Sequence, residues 1–290
     1  MRITRWRRPA ARTAVAAVSA ALSAALLLTG CDDRTAATGE PRAKPTPGPV
    51  WNTHPQSIAS LGDSITRGYD ACSLLADCPE VSWSTGTEVD SLAVRLLPAP
   101  QGHSWNYART GARMADLPGQ MRAAIAHRPQ LVTVLLGAND ACRTEVGAMT
   151  PVADYRRDFE RSLAELRRAL PSTQVYVASV PDLKRLWSQG SRNPLGRQIW
   201  KLGICPSMLR DAEAQDAASR QRRAAVDQRV GEYNTVLRQV CERDRLCRYD
   251  GSVHEFAFGD DELSRWDWFH PNKQGQRELA ELAYRRVTAS

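Results

Sequence analysis

The sequence predicts an α/β fold, in which helices cover both faces of a central, mostly parallel sheet of about five strands. The first observation is that short apolar runs, such as residues 57–61 and 130–136, alternate with longer segments of helical periodicity. The second is that continuous apolar runs of this length are typical of strands buried on both faces. Because strands that alternate with helices form parallel sheets, the pattern indicates a layered α/β domain.

The predicted elements follow one another in a regular order from about residue 56. The predicted strands are 57–61, 104–108, 130–136, 174–180 and 246–249. The predicted helices are 88–97, 116–127, 151–170, 217–243 and 273–287. Residues 181–215 carry tryptophans and glycines without a clear period, and we expect a lid or binding loop there.

The first 30 residues have the features of a removable export signal. Five arginines precede an apolar run at 14–28, which is short for a membrane span and typical of a signal-peptide core. The run ends in Thr29-Gly30-Cys31, which resembles the lipobox of bacterial lipoproteins, in which the cysteine is lipidated; plain secretion with cleavage nearby is the alternative. We expect a signal peptide at 1–30, a lipidated Cys31 with a proline-rich spacer at 31–55, and a folded domain at 56–290.

The expected mature chain is close to neutral. The full chain has 39 basic and 32 acidic residues, a formal charge of +7. Residues 1–30 hold five of the basic residues and none of the acidic ones, which leaves 34 against 32, a charge of +2. Nucleic-acid binding needs a strongly basic surface, so we expect no nucleic-acid partner.

Seven cysteines are an odd number for an exported protein. Setting Cys31 aside leaves six, which allow 15 pairings. Two pairs are close in sequence, Cys72–Cys78 and Cys241–Cys247, and each suggests a disulfide that closes a short loop. The two remaining cysteines then form the third disulfide, Cys142–Cys205. A metal site is the competing interpretation, but the chain has no Cys-x-x-Cys or His-x-x-x-His spacing, so we expect no metal.

Four short blocks of polar residues and glycine lie at predicted strand ends or loops. The first three follow predicted strands and the fourth precedes the last predicted helix: Gly62-Asp63-Ser64, Asn106-Tyr107-Ala108-Arg109-Thr110-Gly111, Gly137-Ala138-Asn139-Asp140 and Asp267-Trp268-Phe269-His270-Pro271. Parallel strands bring their carboxyl ends to one edge of the sheet, where open α/β sheets bind their ligands. We therefore expect the first three blocks to converge on one pocket.

These blocks supply the groups that a serine-based acyl transfer requires. Ser64 is the candidate nucleophile, and His270 is the candidate base because an imidazole titrates near neutral pH. Asp267, three residues before the histidine, can fix the tautomer and orientation of its ring. The backbone N–H groups of Ser64 and Gly111 and the side-chain amide of Asn139 are candidate donors to the developing oxyanion.

Each assignment has an alternative. Ser64 can be a helix cap, and Asn139 can belong to an ordinary turn at a strand end. Asp267 can cap the last helix instead of pairing with the histidine. His254, which follows the fifth predicted strand, is the rival base.

The four blocks resemble the SGNH, or GDSL, hydrolase superfamily, whose name lists its invariant Ser, Gly, Asn and His. Ser64, Gly111, Asn139 and His270 match these types in the family order, and Gly-Asp-Ser-Ile is a common variant of the first block. The resemblance covers about residues 56–290. Within the superfamily, the pattern of the chain most resembles that of secreted actinobacterial SGNH esterases and lipases. It implies a flavodoxin-like three-layer α/β/α fold, no metal or cofactor, and a shallow active site.

The resemblance implies an exported, membrane-tethered serine esterase or lipase. Its substrate would be an acyl ester of a lipid, small molecule or glycan, cleaved by a Ser-His-Asp triad through an acyl-enzyme. A carbohydrate O-deacetylase of the same superfamily is the alternative within enzymes, and a non-catalytic binding lipoprotein with the SGNH fold is the alternative outside them. The anchor at Cys31 would hold the protein on the outer face of the cytoplasmic membrane, unless it is released.

Overall fold

The structure, a computed structural model, describes residues 50–289. The expected signal peptide, Cys31 and most of the expected spacer lie outside the described residues. Within them, no helix has both the length and the apolar composition that a membrane span requires.

The centre of the fold is a five-stranded sheet in which every neighbouring pair is parallel. Its strands are β1 (Ile58–Gly62), β2 (Ser104–Asn106), β3 (Leu131–Leu135), β4 (Gln174–Ala178) and β5 (Cys247–Asp250). Their spatial order is β2-β1-β3-β4-β5, which is the flavodoxin-like order. The predicted α/β class, with a parallel sheet of five strands, is confirmed.

Helices flank the sheet and short helices follow several strands. Those on the flanks are α1 (Leu92–Leu96), α2 (Leu117–Ile125), α4 (Val152–Ala169), α8 (Ala217–Cys241) and α10 (Lys273–Thr288). The shorter ones are α3 (Ala138–Ala141), α5 (Leu183–Gly190), α6 (Pro194–Trp200), α7 (Pro206–Leu209) and α9 (Ser252–Glu255). Helix α4 packs against both α2 and α8, whereas α1 packs against α10.

The three inner strands are buried along their whole length because helices cover them on both faces. Burial extends to the hydroxyl groups of Ser60, Thr133 and Tyr176, which therefore need partners. The Thr133 hydroxyl donates to Ser60 Oγ at 3.0 Å and is 2.9 Å from Ser84 Oγ, and the Tyr176 hydroxyl donates to Asp250 Oδ2 at 2.8 Å. Each of these buried hydroxyl groups thus has a hydrogen-bond partner.

The segment 181–215, for which we expect a lid or binding loop, is not irregular as its lack of periodicity indicated, because it contains α5, α6 and α7. Two of these helices have a well-formed N-cap: Asp182 accepts a hydrogen bond from the Arg185 N–H at 2.8 Å, and Asn193 accepts one from the Leu195 N–H at 2.9 Å. Pro194 occupies the first turn of α6, where its missing N–H costs nothing. We call residues 183–209 the helical insert.

The helix predicted for 88–97 is shorter in the structure and begins at Leu92. The reason is local, because the Ser91 side chain caps it by accepting from the Val94 N–H at 3.3 Å. The spacing of apolar residues alone placed the start of this helix at residue 88, before the Ser91 cap at which it begins.

Three disulfides join the six cysteines of the described residues, and each links segments that border a strand or the site. They are Cys72–Cys78, Cys142–Cys205 and Cys241–Cys247. The second connects the end of α3 to the start of α7, and so fastens the helical insert to the segment after β3. Disulfides of this number are typical of proteins from oxidising, extracytoplasmic compartments.

Candidate active site

Ser64 lies on a tight turn at the carboxyl end of β1. The turn needs glycine at position 62, because a Cβ atom there would lie 2.5 Å from Thr66 Oγ1 and 2.6 Å from the Leu135 carbonyl oxygen. The Ile65 N–H donates to Asp63 Oδ1 at 3.0 Å, which closes the turn around the serine. The turn therefore carries Ser64 at the sheet edge where ligands bind in this fold.

Two buried glutamines hold this turn from opposite sides. Gln120 of α2 accepts from the Gly62 N–H at 2.8 Å and donates to the Gly62 carbonyl at 2.9 Å. Gln276 of α10 donates to the Ile65 carbonyl at 2.8 Å and accepts from the Trp83 N–H at 2.8 Å. Neither glutamine is among the candidates that the sequence predicts. The only signal for each in the sequence is its position as a polar residue on the buried face of an amphipathic helix.

His270 connects the serine to a carboxylate. Its Nε2 is 2.9 Å from Ser64 Oγ, and its Nδ1 is 2.5 Å from Asp267 Oδ2. An ionised carboxylate only accepts hydrogen bonds, so Nδ1 carries the proton and Nε2 accepts from the serine hydroxyl. This is the tautomer in which histidine can remove the serine proton.

Burial and charge act against each other in the Asp267–His270 pair. Burial alone would raise the pKa of Asp267, but the charge of His270 and the hydrogen bonds from its ring and backbone lower the pKa below the usual value. Burial alone would lower the pKa of His270, but the Asp267 charge and hydrogen bond raise the pKa above 6.5. The pair therefore favours an ionised carboxylate facing an imidazole ready to accept a proton.

The loop before α10 fixes the Asp267 carboxylate. Asp267 Oδ1 accepts from the backbone N–H groups of Phe269 at 2.9 Å and His270 at 3.0 Å. Trp200, from the helical insert, donates to the Asp267 carbonyl at 2.7 Å. Asn272 caps α10 by accepting from the Gln274 N–H at 2.8 Å, so the alternative of Asp267 as the helix cap does not hold.

The loop of Gly111 and Ala112 lies beside Asn139. Asn139 Nδ2 donates to the carbonyl of Ala112 at 3.1 Å, and the Arg109 N–H donates to the Gly62 carbonyl at 3.1 Å. Gly111 has a φ of +82°, a left-handed conformation that favours glycine. Within residues 50–289 the backbone N–H groups of Ser64 and Gly111 donate to no other protein group, so both are free to bind an oxygen atom.

His254, the rival base, lies elsewhere. Its Nδ1 is 3.0 Å from the Val180 carbonyl oxygen, and its backbone N–H donates to Ser179 Oγ at 2.9 Å. It makes no hydrogen bond to Ser64 in the described part of the chain.

Comparison with known families decides the classification. Residues 60–278 match the model of the GDSL-like lipase/acylhydrolase family. The matched region is three quarters of the chain and includes all four blocks.

The chain belongs to the GDSL-like lipase/acylhydrolase family.

Solved structures with a similar fold include further hydrolases. One is a mutant of Axe2, an acetyl-xylooligosaccharide esterase from Geobacillus stearothermophilus, with 18% identity over 81% of this chain and 95% of that chain and a TM-score of 0.50. Another is an alpha/beta hydrolase enzyme from the metagenome of Lake Arreo, with 17% identity over 81% of this chain and 97% of that chain and a TM-score of 0.50. None of the curated proteins compared with the chain matches it. The chain is thus a carboxylic ester hydrolase by family and shares its fold with these enzymes.

One set of potential metal ligands lies within the site of this GDSL family member. One ligand atom each of Asp70, Asp267 and His270 lies within 4.8 Å of the others. Both His270 nitrogens and both Asp267 oxygens already have hydrogen-bond partners in the protein. Metal binding would have to break these bonds, so the residues fit a proton-transfer relay better than a metal centre.

A cavity of about 490 Å³ adjoins the loop that precedes Gly111. Its lining includes Arg67, Asp77, Asn106, Arg109 and Thr110. Thr110 directly precedes Gly111 in the chain.

Proposed function

We propose that this protein is a serine esterase that hydrolyses acyl esters through a Ser64–His270–Asp267 triad and an acyl-enzyme intermediate. The observation that carries the proposal is the continuous hydrogen-bonded chain from Ser64 Oγ to His270 Nε2, 2.9 Å, and from His270 Nδ1 to Asp267 Oδ2, 2.5 Å. A nucleophile in contact with a base, and a base oriented by an acid, is the arrangement that acyl transfer needs.

The first half of the reaction forms the acyl-enzyme. Ser64 Oγ attacks the ester carbonyl carbon while His270 Nε2 takes the serine proton. The carbonyl oxygen becomes an oxyanion, for which the Ser64 and Gly111 N–H groups and the Asn139 amide are the donors. When the tetrahedral intermediate collapses, His270 returns the proton to the departing alcohol.

The second half reverses these roles with water. Water loses a proton to His270 Nε2 and attacks the acyl carbon, and the same donors bind the second oxyanion. Collapse returns the proton to Ser64 Oγ and releases the carboxylic acid. Asp267 stays ionised throughout and stabilises the imidazolium that forms in each half.

A glycan or small-molecule O-deacetylase is the second candidate within the same chemistry. The cavity lined in part by Arg67, Asp77 and Arg109 favours it, because charged side chains suit a hydroxyl-rich alcohol portion better than a lipid chain. The similarity of fold to an acetyl-xylooligosaccharide esterase is consistent with this substrate class. Parallel assays on nitrophenyl esters of increasing chain length, phospholipid and acetylated xylan would separate the two.

Export and lipid anchoring at Cys31 complete the proposal. The three disulfides support an extracytoplasmic location, because such bonds persist in oxidising compartments. An anchor at Cys31 followed by a proline-rich spacer would hold the esterase domain on the membrane surface. Mass spectrometry of the mature N-terminus would detect a diacylglyceryl adduct on Cys31; a mature chain that lacks Cys31 would refute the anchor.

A fluorophosphonate probe tests the catalytic assignment. The wild-type protein should be labelled at Ser64, and Ser64→Ala should abolish labelling and lower kcat by about 10⁴ or more. Thr66→Ser, on the same turn but outside the triad, is the matched control and should remain labelled. Labelling that persists in Ser64→Ala would exclude Ser64 as the nucleophile.

A further inference from the structure

A second carboxyl group, Asp70, lies behind the Asp267–His270 pair. It is only 1% exposed, two residues before the loop that the Cys72–Cys78 disulfide closes. One of its carboxylate oxygens accepts from the Leu75 N–H. The other, Oδ2, is buried and has no hydrogen-bond partner among residues 50–289. Neither the triad nor the oxyanion donors account for this group.

The arrangement places Asp70 within reach of the triad. One carboxylate oxygen each of Asp70 and Asp267 and one ring nitrogen of His270 lie within 4.8 Å of one another. Two ionised carboxylates at this separation repel each other, and a buried oxygen without a partner is costly. A proton on Asp70 that is donated to Asp267 removes both problems.

Asp70 is held in place from both sides of the site. Its backbone N–H donates to the Ala76 carbonyl at 3.0 Å, and its carbonyl accepts from Ser264 Oγ at 2.7 Å. Its φ is +56°, in the left-handed region, which aspartate adopts more often than most residues other than glycine.

The electrostatic surroundings agree with a shared proton. Burial, and then the Asp267 charge, raise the pKa of Asp70 to about 6, although the Leu75 N–H and His270 act in the opposite direction. The other ionisable groups around Asp70 are Tyr69 on its own loop and those that line the same cavity of about 500 Å³ as Asp70, namely Asp260, Arg265, Lys273 and Arg277. His270 also faces Asp63, whose charge raises the pKa of the imidazole in the same direction as Asp70.

We propose that Asp70 is a positioning residue that shares a proton with Asp267 and thereby sets the pH at which His270 becomes an active base. With the shared proton, the two carboxyl groups carry one negative charge beside the imidazole. When the shared proton is lost, the two carboxylates carry two negative charges, and the pKa of His270 rises because its protonated form is stabilised. The inference rests on the proposed triad and extends it to a fourth group.

The Asp70→Asn variant separates this role from a structural one. Its side-chain oxygen can still accept from Leu75 and its NH₂ group can still donate to Asp267, but it cannot ionise. In the full-length protein, the acid limb of the kcat/KM profile should therefore move down by about half to one pH unit. The plateau kcat should stay within about threefold of wild type, and KM should not change.

Two further variants complete the experiment. Asp260→Asn removes the carboxylate of another residue that lines the same cavity as Asp70, and it should leave the pH profile unchanged. Asp70→Ala also loses the hydrogen bond to Asp267, so its kcat should fall about tenfold below that of Asp70→Asn. Each rate is divided by the concentration of active sites, measured by titration with fluorophosphonate. Misfolded protein then does not lower the apparent kcat of a variant.

The outcomes distinguish this inference from the proposed function. If wild type is labelled at Ser64 but Asp70→Asn has an unchanged acid limb, the inference is wrong and the triad stands. If the kcat of Asp70→Asn falls as far as that of Asp70→Ala, Asp70 does not act by donating a hydrogen bond to Asp267, and the inference is wrong. If Ser64→Ala keeps its label, the proposed function itself fails.

Discussion

Trp200 of the helical insert donates its indole N–H to the backbone carbonyl of Asp267, with 2.7 Å between Nε1 and O. The ring is 3% exposed and lies against Gly190, where a Cβ atom would be 2.4 Å from Cζ2. The same insert is joined to α3, which carries Asn139, by the Cys142–Cys205 disulfide. The insert therefore contacts both the acid side and the oxyanion side of the candidate site.

Trp200→Phe tests the contact on the acid side. It keeps the aromatic ring and removes one buried hydrogen bond, worth about 1 kcal/mol. We expect kcat to fall about fivefold with little change in KM, because the effect acts through the position of Asp267. Trp187→Phe is the matched control, since its indole donates to the Ala212 carbonyl at 3.0 Å within the same part of the chain. Equal losses in the two variants would contradict a specific link to the triad.

The activity should depend on pH through His270. Only the neutral imidazole accepts the serine proton, and Asp267 raises the pKa of His270 above 6.5. Activity should therefore rise with pH through a midpoint above 6.5, as measured by the kcat/KM profile. Asp267→Asn should lower this midpoint and reduce kcat less than His270→Ala does. A larger loss in His254→Ala than in His270→Ala would show that the wrong base has been chosen.

Asn139 should matter in the transition state and little in the ground state. An oxyanion donor acts when charge gathers on the carbonyl oxygen. Asn139→Ala should lower kcat by about 10² to 10³ with little change in KM, and labelling by a fluorophosphonate should slow without stopping. Asn139→Asp should be worse, because an anion would repel the developing charge. A raised KM with unchanged kcat would reassign this side chain to substrate binding.

Much of the domain follows from simple sequence patterns. The apolar runs that became β1, β3 and β4 identified the sheet, and helix α4 buries Phe159, Leu163 and Leu166, whose spacing predicted its apolar face. The Ser64, Gly111, Asn139 and His270 blocks could be placed at one edge because parallel strands end together.

Other features depend on contacts between segments far apart in sequence. Gln120 supports Gly62 across 58 residues, and Trp200 reaches Asp267 across 67. Asp70 lies in a loop with no periodicity, so its contact with Asp267 has no local signal. The short helices of the insert could have been found from their caps, Asp182 and Asn193, which the search for a longer apolar period overlooked.

Asp63 should make the protein less stable as pH rises. It is fully buried, one of its oxygens lacks a partner among the described residues, and burial raises its pKa to about 7. The unfolded chain releases this proton near pH 4, so between pH 4 and 7 ionisation favours unfolding, by up to about 4 kcal/mol. Asp63→Asn keeps an acceptor for Ile65 and should gain stability over wild type as pH increases.

Urea unfolding of both proteins at pH 5 and pH 8 measures this difference, and Asp261→Asn, at an exposed carboxyl, is the control. An Asp63→Asn protein whose stability relative to wild type is the same at both pH values would contradict a buried neutral carboxyl group.

The hydrogen bond between Ser64 and His270 joins residues that are 206 positions apart in the chain. The proposed nucleophile is at the end of β1, whereas its proposed base lies just before α10, so β2 to β5 lie between the two in sequence. A chain that emerges from the ribosome, or is threaded through a pore, with its amino end first therefore presents Ser64 without His270 until the segment before α10 has appeared. If the proposed triad is correct, no chain shorter than this can hydrolyse an ester, and the first turnover reports that folding has reached α10.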